Sequence, residues 1–181
     1  VPAEDLIRIE TYSTHTNQWY TNSGAQISIP FPMGVVDGDI YELEPLCAPG
    51  KRLEVRSGNT ADGSNVSIWG DNNSNPQRWR VEKQSDGSYE LIPEHATGSR
   101  LNVAGGGTAN ATNVDIWTDQ DQAHQRWTIQ SQTDGWYEII PKHAPGLRLE
   151  VAGAGNTNGT NVRTYNDNNS SAQRWRLIKQ Y

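Results

Sequence analysis

Apolar and polar residues alternate along short stretches of this chain, and the alternation recurs at a fixed interval. Between residues 89 and 136 the apolar pairs are Tyr89 and Leu91, Leu101 and Val103, Val114 and Ile116, and Trp127 and Ile129. A spacing of two puts both members of a pair on one face of an extended segment, so each pair predicts a half-buried strand. No stretch long enough for a helix keeps a helical period. Turn formers separate the stretches: Pro49 and Gly50, Thr97 and Gly98, and Pro145 and Gly146 at one place, and Gly-, Asn- and Thr-rich segments such as 104–111 at another. Each unit therefore predicts four short strands.

The unit is written three times with a step of 48 residues. Tyr41, Tyr89 and Tyr137 open the copies, and Gln77-Arg78-Trp79, Gln125-Arg126-Trp127 and Gln173-Arg174-Trp175 close them. Between these marks stand Arg-Leu-x-Val, from Arg52, Arg100 and Arg148, and Asn-Val-x-x-aromatic, from Asn65, Asn113 and Asn161. The copies span residues 41–88, 89–136 and 137–181 within a domain of residues 38–181, which predicts about twelve strands. So many short strands leave exposed edges unless they close on themselves. A propeller takes about four blades or more, whereas three copies suit a threefold barrel capped by hairpins. Trp79, Trp127 and Trp175 are expected in the shared core.

Residues 1–37 lie outside the repeat. Leu6 to Glu10 and, more briefly, Ile27 to Ile29 alternate as strands, while residues 11–23 are polar around Trp19 and Tyr20. So short a segment cannot hold a sizeable core, and it is expected to pack on the repeat domain or to be the remnant of a neighbouring module. Pro30, Pro32 and Gly34 mark the junction.

The three Gln-x-Trp endings, each preceded by Leu-x-Val and Asn-Val-x-x-aromatic, resemble the ricin B-chain-like β-trefoils. That family includes lectins and family-13-type carbohydrate-binding modules, and the resemblance covers residues 38–181. It implies an all-β β-trefoil of three four-stranded repeats. It also implies non-catalytic, multivalent binding of a polysaccharide or glycan of galactose or xylan type. The chain would then serve as a lectin or as the targeting module of a secreted carbohydrate-active enzyme, with a catalytic domain tethered to it in the second case. The same scaffold also serves protein-binding or purely structural roles, which is the alternative; a glycoside-cleaving enzyme fits less well.

Composition narrows the partner. A net charge of −6, with 15 scattered Lys and Arg, argues against a nucleic-acid phosphate backbone. No apolar run reaches the length of a membrane span. One cysteine, Cys47, excludes an intrachain disulfide, so secretion is expected without disulfide support. Seven Trp and seven Tyr are too many aromatics for a disordered tail.

A sugar is held by an aromatic ring under its apolar face and by fixed polar groups that read its hydroxyls. Trp69, Trp117 and Tyr165 supply a ring in each copy. Val66 and Trp69 stand three residues apart and should face opposite ways, which favours an outward ring over the alternative, a ring packed on the cap. Asp71, Asp119 and Asp167 follow two residues later, with Asn72, Gln120 and Asn168 beside them. In the resembled family an Asp in the Leu-Asp-Val segment bonds the sugar; Glu54, Asn102 and Glu150 match it here. The family's Asn before Gln-x-Trp is matched by Pro76, His124 and Ala172, of which only His124 can hydrogen-bond through its side chain. The galactose pocket of the lectin relatives is thus altered in every copy. Glu54 and Glu150 could instead bond within the scaffold.

Two further readings are weaker. Glu54 with Asp71, and Glu150 with Asp167, could be a hydrolase's carboxylate pair. They recur with the repeat, as a binding surface would, and no nucleophile or general base accompanies them, so no enzyme is expected. Cys47, His95 and His143 are equivalent positions around the repeat axis, where a turn hydrogen bond is expected rather than a metal site. No cofactor is expected.

Overall fold

The structure, a computed structural model, describes residues 9–13, 18–21, 26–27 and 34–181. The chain divides into two compact units, Val1–Met33 and Gly34–Tyr181. In the first, β1 (Ile9–Ser13), β2 (Gln18–Thr21) and β3 (Gln26–Ile27) form an antiparallel sheet in that order, with a register irregularity between Ile9 and Thr11. Ile9 and Glu10 of the expected first strand lie in β1; Leu6 to Arg8, Ser28 and Ile29 fall outside the described residues. β2 occupies the polar segment around Trp19 and Tyr20, which alternation had not marked.

The second unit holds twelve strands, four per copy. Copy one contributes β4 (Ile40–Pro45), β5 (Lys51–Val55), β6 (Ser64–Gly70) and β7 (Trp79–Lys83). Copy two contributes β8 (Tyr89–Pro93), β9 (Ser99–Val103), β10 (Thr112–Thr118) and β11 (Trp127–Ser131). Copy three contributes β12 (Tyr137–Pro141), β13 (Leu147–Val151), β14 (Thr160–Asn166) and β15 (Trp175–Lys179). The first and fourth strands of the copies close a six-stranded barrel. The second and third form the hairpins β5/β6, β9/β10 and β13/β14. β6, β10 and β14 also pair with one another in a triangle that caps the barrel. This is a β-trefoil.

Closure follows from burial. Leu43, Leu53, Val66, Ile68, Val81 and their counterparts in the other copies fill one core together with Trp79, Trp127 and Trp175, all three of which are fully buried. A buried indole N–H needs an acceptor. Trp79, Trp127 and Trp175 donate from Nε1 to the carbonyls of Leu53, Leu101 and Leu149 at 3.0, 2.9 and 3.0 Å, tying each fourth strand to the second strand of its own copy.

The cap meets in a ring of three amides. Asn65 donates to Asn161, Asn161 to Asn113 and Asn113 to Asn65, each from Nδ2 to Oδ1 at 2.9 Å. Within the ring each amide gives one bond and takes one, so it closes only with three asparagines at equivalent places. That is a physical reason for the Asn of Asn-Val-x-x-aromatic. Replacing Asn113 with Ala leaves a donor and an acceptor of the other two unmatched, and should cost about 1–3 kcal/mol of unfolding free energy. Replacing a second Asn should then cost less than it does alone, because the ring is already open. Urea denaturation of the single and double variants checks both.

Candidate functional site

Each Gln-x-Trp glutamine is completely buried, and its amide organises the loop that follows the third strand of its copy. Gln77 accepts from the Asn72 amide N at 3.0 Å and donates to the Gly70 carbonyl at 2.9 Å. Gln125 accepts from Gln120 N at 2.8 Å and donates to Thr118 O at 3.0 Å. Gln173 accepts from Asn168 N at 3.0 Å and donates to Asn166 O at 2.8 Å. The loop carrying Asn72, Gln120 or Asn168 is thereby held against the third strand, just past the aromatic residue.

The three aspartates are tied into the same framework. Asp71, Asp119 and Asp167 each accept on Oδ2 from Arg52, Arg100 or Arg148 at 2.9, 2.9 and 2.8 Å. Their Oδ1 atoms take the backbone N–H two residues on, at Asn73, Asp121 and Asn169. Each carboxylate thus has both oxygens engaged by the scaffold. The arginines reach further in. Their Nε atoms bond Glu42, Glu90 and Glu138 at 2.9, 2.6 and 2.8 Å, and these glutamates are almost wholly buried. Sequence reasoning passed over this network, although Tyr-Glu and the Arg of Arg-Leu-x-Val recur in all three copies.

In copies two and three the remaining predicted residues converge. In copy two, Asn102, Gly105, Trp117, Gln120 and His124 line a cleft of about 240 Å³. In copy three, Glu150, Tyr165, Asn168 and Ala172 line one of about 290 Å³ together with Gly153, Ala154, Arg163 and Ser170. Shifting the copy-two positions by 48 residues reproduces members of the copy-three set, so the two clefts are one site in two versions. Trp69 and Trp117 are each 37% exposed, whereas Val66 and Val114 are buried. An edge atom of Trp117 lies 3.7 Å from where a Cβ on Gly63 would stand, and Trp69 has the same relation to Gly159. Both glycines have φ near +80°. The equivalent residue in copy two is Ala111, at φ 65°, bonded to the carbonyl beside Tyr165. The extra methyl thus occurs where the smaller ring stands.

The cleft floors differ. In copy one Glu54 accepts from Gln77 Nε2 at 2.7 Å, and burial pushes its carboxyl above the usual range against that bond and the charge of His95. Across the hairpin from Glu54, the buried Ser67 hydroxyl has no partner among the described residues. In copy three Glu150 accepts from Arg163, Gln173 and Asn168. The Arg163 guanidinium lies 4.6 Å over the Tyr165 ring, so one ring face already carries a cation. In copy two Asn102 joins Asp115 at 2.7 Å and His124 at 2.7 Å. Residues 67, 115 and 163 stand across their hairpins from Glu54, Asn102 and Glu150. They vary as Ser, Asp and Arg, so no shared motif marked them. Asn72 and Asn168 use Oδ1 to accept from the N–H of Ser74 and Ser170.

His95 and His143 bond the carbonyls of Asn59 and Gly107 through Nε2 at 3.1 Å. Among the described residues, no three His, Cys, Asp or Glu side chains gather in a way that could hold a metal ion.

A ricin-type β-trefoil lectin domain-like family model matches residues 16–117, 92–165 and 123–181, and the chain belongs to that family. Solved structures agree. A designed threefold-symmetric protein, ThreeFoil, is 30% identical with a TM-score of 0.74, covering 78% of this chain and 99% of its own. The Rhizoctonia solani agglutinin is 20% identical with a TM-score of 0.73, covering 83% and 100%. An exo-β-1,3-galactanase from Clostridium thermocellum is 23% identical with a TM-score of 0.75; the match covers 87% of this chain but only 32% of the enzyme. No curated protein sequence matched. The fold is thus of the carbohydrate-binding, lectin type.

Removing Arg100 strands the Glu90 carboxylate, whose next cation, Arg126, is 3.8 Å away. Arg100→Leu should cost about 3 kcal/mol, and Arg100→Leu with Glu90→Leu should recover most of it. Chemical denaturation of both variants checks this.

Proposed function

We propose that this β-trefoil binds a polysaccharide or glycan without catalysis, using the copy-two cleft as its principal site and the copy-three cleft as a modified second one. The observation that carries the reading is the copy-two wall: a part-exposed Trp117 facing neutral polar groups from Asn102, Gln120 and His124. An indole covers the apolar face of a pyranose, while neutral donors and acceptors read its hydroxyls. Copy one has Pro76, without a polar side chain, where copy two has His124.

Galactose-type and xylan-type polymers are the ligand classes that fit. A neighbour in fold was solved in complex with lactose, and another is part of a galactan-degrading enzyme. Those neighbours support a lectin role, or a targeting role beside a tethered catalytic domain; secretion is part of the proposal. Two weak sites on one rigid body favour a polymer, since linked binding raises apparent affinity by roughly 10² to 10⁴ when both can be reached.

Affinity electrophoresis in galactan and xylan gels tests this. Trp117→Ala should lower retention by about tenfold or more, the scale of a lost stacking contact plus the linkage it supports. Tyr165→Ala should lower it less. Retention untouched by Trp117→Ala, or capture of a protein partner undisturbed by free sugar, would overturn the reading in favour of a protein-binding trefoil.

A further inference from the structure

In copy two a relay of acid, amide and imidazole runs from beneath the cleft to its wall. Asp115, 5% exposed on β10, accepts on Oδ1 from Asn102 Nδ2 at 2.7 Å; Asn102, 2% exposed on β9, meets His124 Nδ1 through Oδ1 at 2.7 Å. Copy one has Ser67, Glu54 and Pro76 at these places, and copy three has Arg163, Glu150 and Ala172.

The relay assigns every polarity in turn. A carboxylate only accepts, so Asn102 must turn its NH2 to Asp115 and its carbonyl to His124. His124 must then donate from Nδ1, which leaves Nε2 with a lone pair in the neutral ring. Nε2 makes no hydrogen bond among the described residues. The ring is seated by close approach, its Cδ2 atom lying 3.1 Å from the Cβ position of Gly106, whose φ is +63°. In copy three the corresponding pair is Ala154 and Ala172.

We propose that His124 is a specificity-determining residue that accepts a hydrogen bond from a ligand hydroxyl through Nε2, with Asn102 and Asp115 positioning it and setting its tautomer. This rests on the carbohydrate-binding reading above and adds a polarity and a proton dependence to it. Protonation converts the acceptor into a donor and puts a charge where a bound sugar displaces water, so the neutral ring is the binding form.

The titratable groups around His124 are few. His143 lies edge-on with ring centroids 6.1 Å apart, held by its own bond to Gly107. Asp115 stands behind Asn102, with the charge of Asp62 acting on it. Burial, and then His143, lower the His124 pKa from its ordinary value, which keeps the ring neutral at physiological pH. Burial pushes the Asp115 carboxyl up, against the bond from Asn102.

Imidazole nitrogen NMR tests the relay in the free protein. Neutral His124 should carry its proton on Nδ1, and Asp115→Asn, which lets the Asn102 amide reverse, should populate the Nε2–H form. A wild-type ring protonated on Nε2, or a tautomer indifferent to Asp115→Asn, would overturn the relay whatever ligand binds. Lactose and xylotriose are then titrated into a Trp69→Ala, Tyr165→Ala background, so that copy two is read alone. Saturating sugar should lower the His124 pKa, and affinity should fall towards about tenfold per pH unit below that pKa, with the dependence flattened in His124→Asn. Binding that is present but independent of pH would overturn the acceptor role alone. Absence of binding by either sugar at any pH, together with no retention on the polymers, would sink the carbohydrate reading on which this rests.

Discussion

A glutamine amide that must bond when buried organises each copy. Gln77, Gln125 and Gln173 have no exposed surface, and an unpaired amide there would cost several kcal/mol. They are satisfied by gathering the end of the third strand and the loop beyond it, at Gly70 and Asn72 or their counterparts, and in copies one and three also by Glu54 and Glu150. Two residues on, the tryptophan fills the core and claims a second-strand carbonyl. One tripeptide therefore couples core packing to the geometry of the surface cleft, and the cleft floor cannot move without opening the core.

Much of the fold was legible because its signals are local or periodic. Period-two pairs such as Leu101 and Val103 mark strands without reference to any partner, and the equal step of the Gln-x-Trp endings demands threefold closure. The cleft was half legible. Trp69 and Trp117 could be turned outward by counting from Val66 and Val114. What alternation could not show was which carboxylates are paired. Asp119 looks like an available acceptor in sequence, yet Arg100, 19 residues away, occupies it. Glu90 shares a strand with Leu91 on the opposite face and is buried all the same, because Arg100 neutralises it there. Pairings across hairpins are properties of register, which a single chain does not display.

The three copies separate scaffold from site. Positions that satisfy the threefold arrangement are invariant within the chain: the Asn65, Asn113 and Asn161 ring, the buried glutamates, the arginines that bond them, and the glutamine clasps. Positions facing the clefts vary, and some vary together. Trp69 and Trp117 pack against glycine where Tyr165 has Ala111, and His124 packs against Gly106 where Ala172 has Ala154. Residues 67, 115 and 163 turn the floor from an unpartnered hydroxyl to an acid and then to an arginine over its own aromatic ring. The scaffold tolerates such changes because each glutamine keeps its two backbone bonds in every copy, whatever stands at residue 54, 102 or 150.

On the proposed carbohydrate-binding reading, ligand contact falls on Trp117 and not on the core indoles. The direct measurement follows the indole N–H signals of nitrogen-labelled protein as lactose or xylotriose is added. The account predicts that the Trp117 signal moves, while those of Trp79, Trp127 and Trp175, bonded to Leu53, Leu101 and Leu149, stay in place. A sugar that binds while leaving Trp117 unmoved would contradict it.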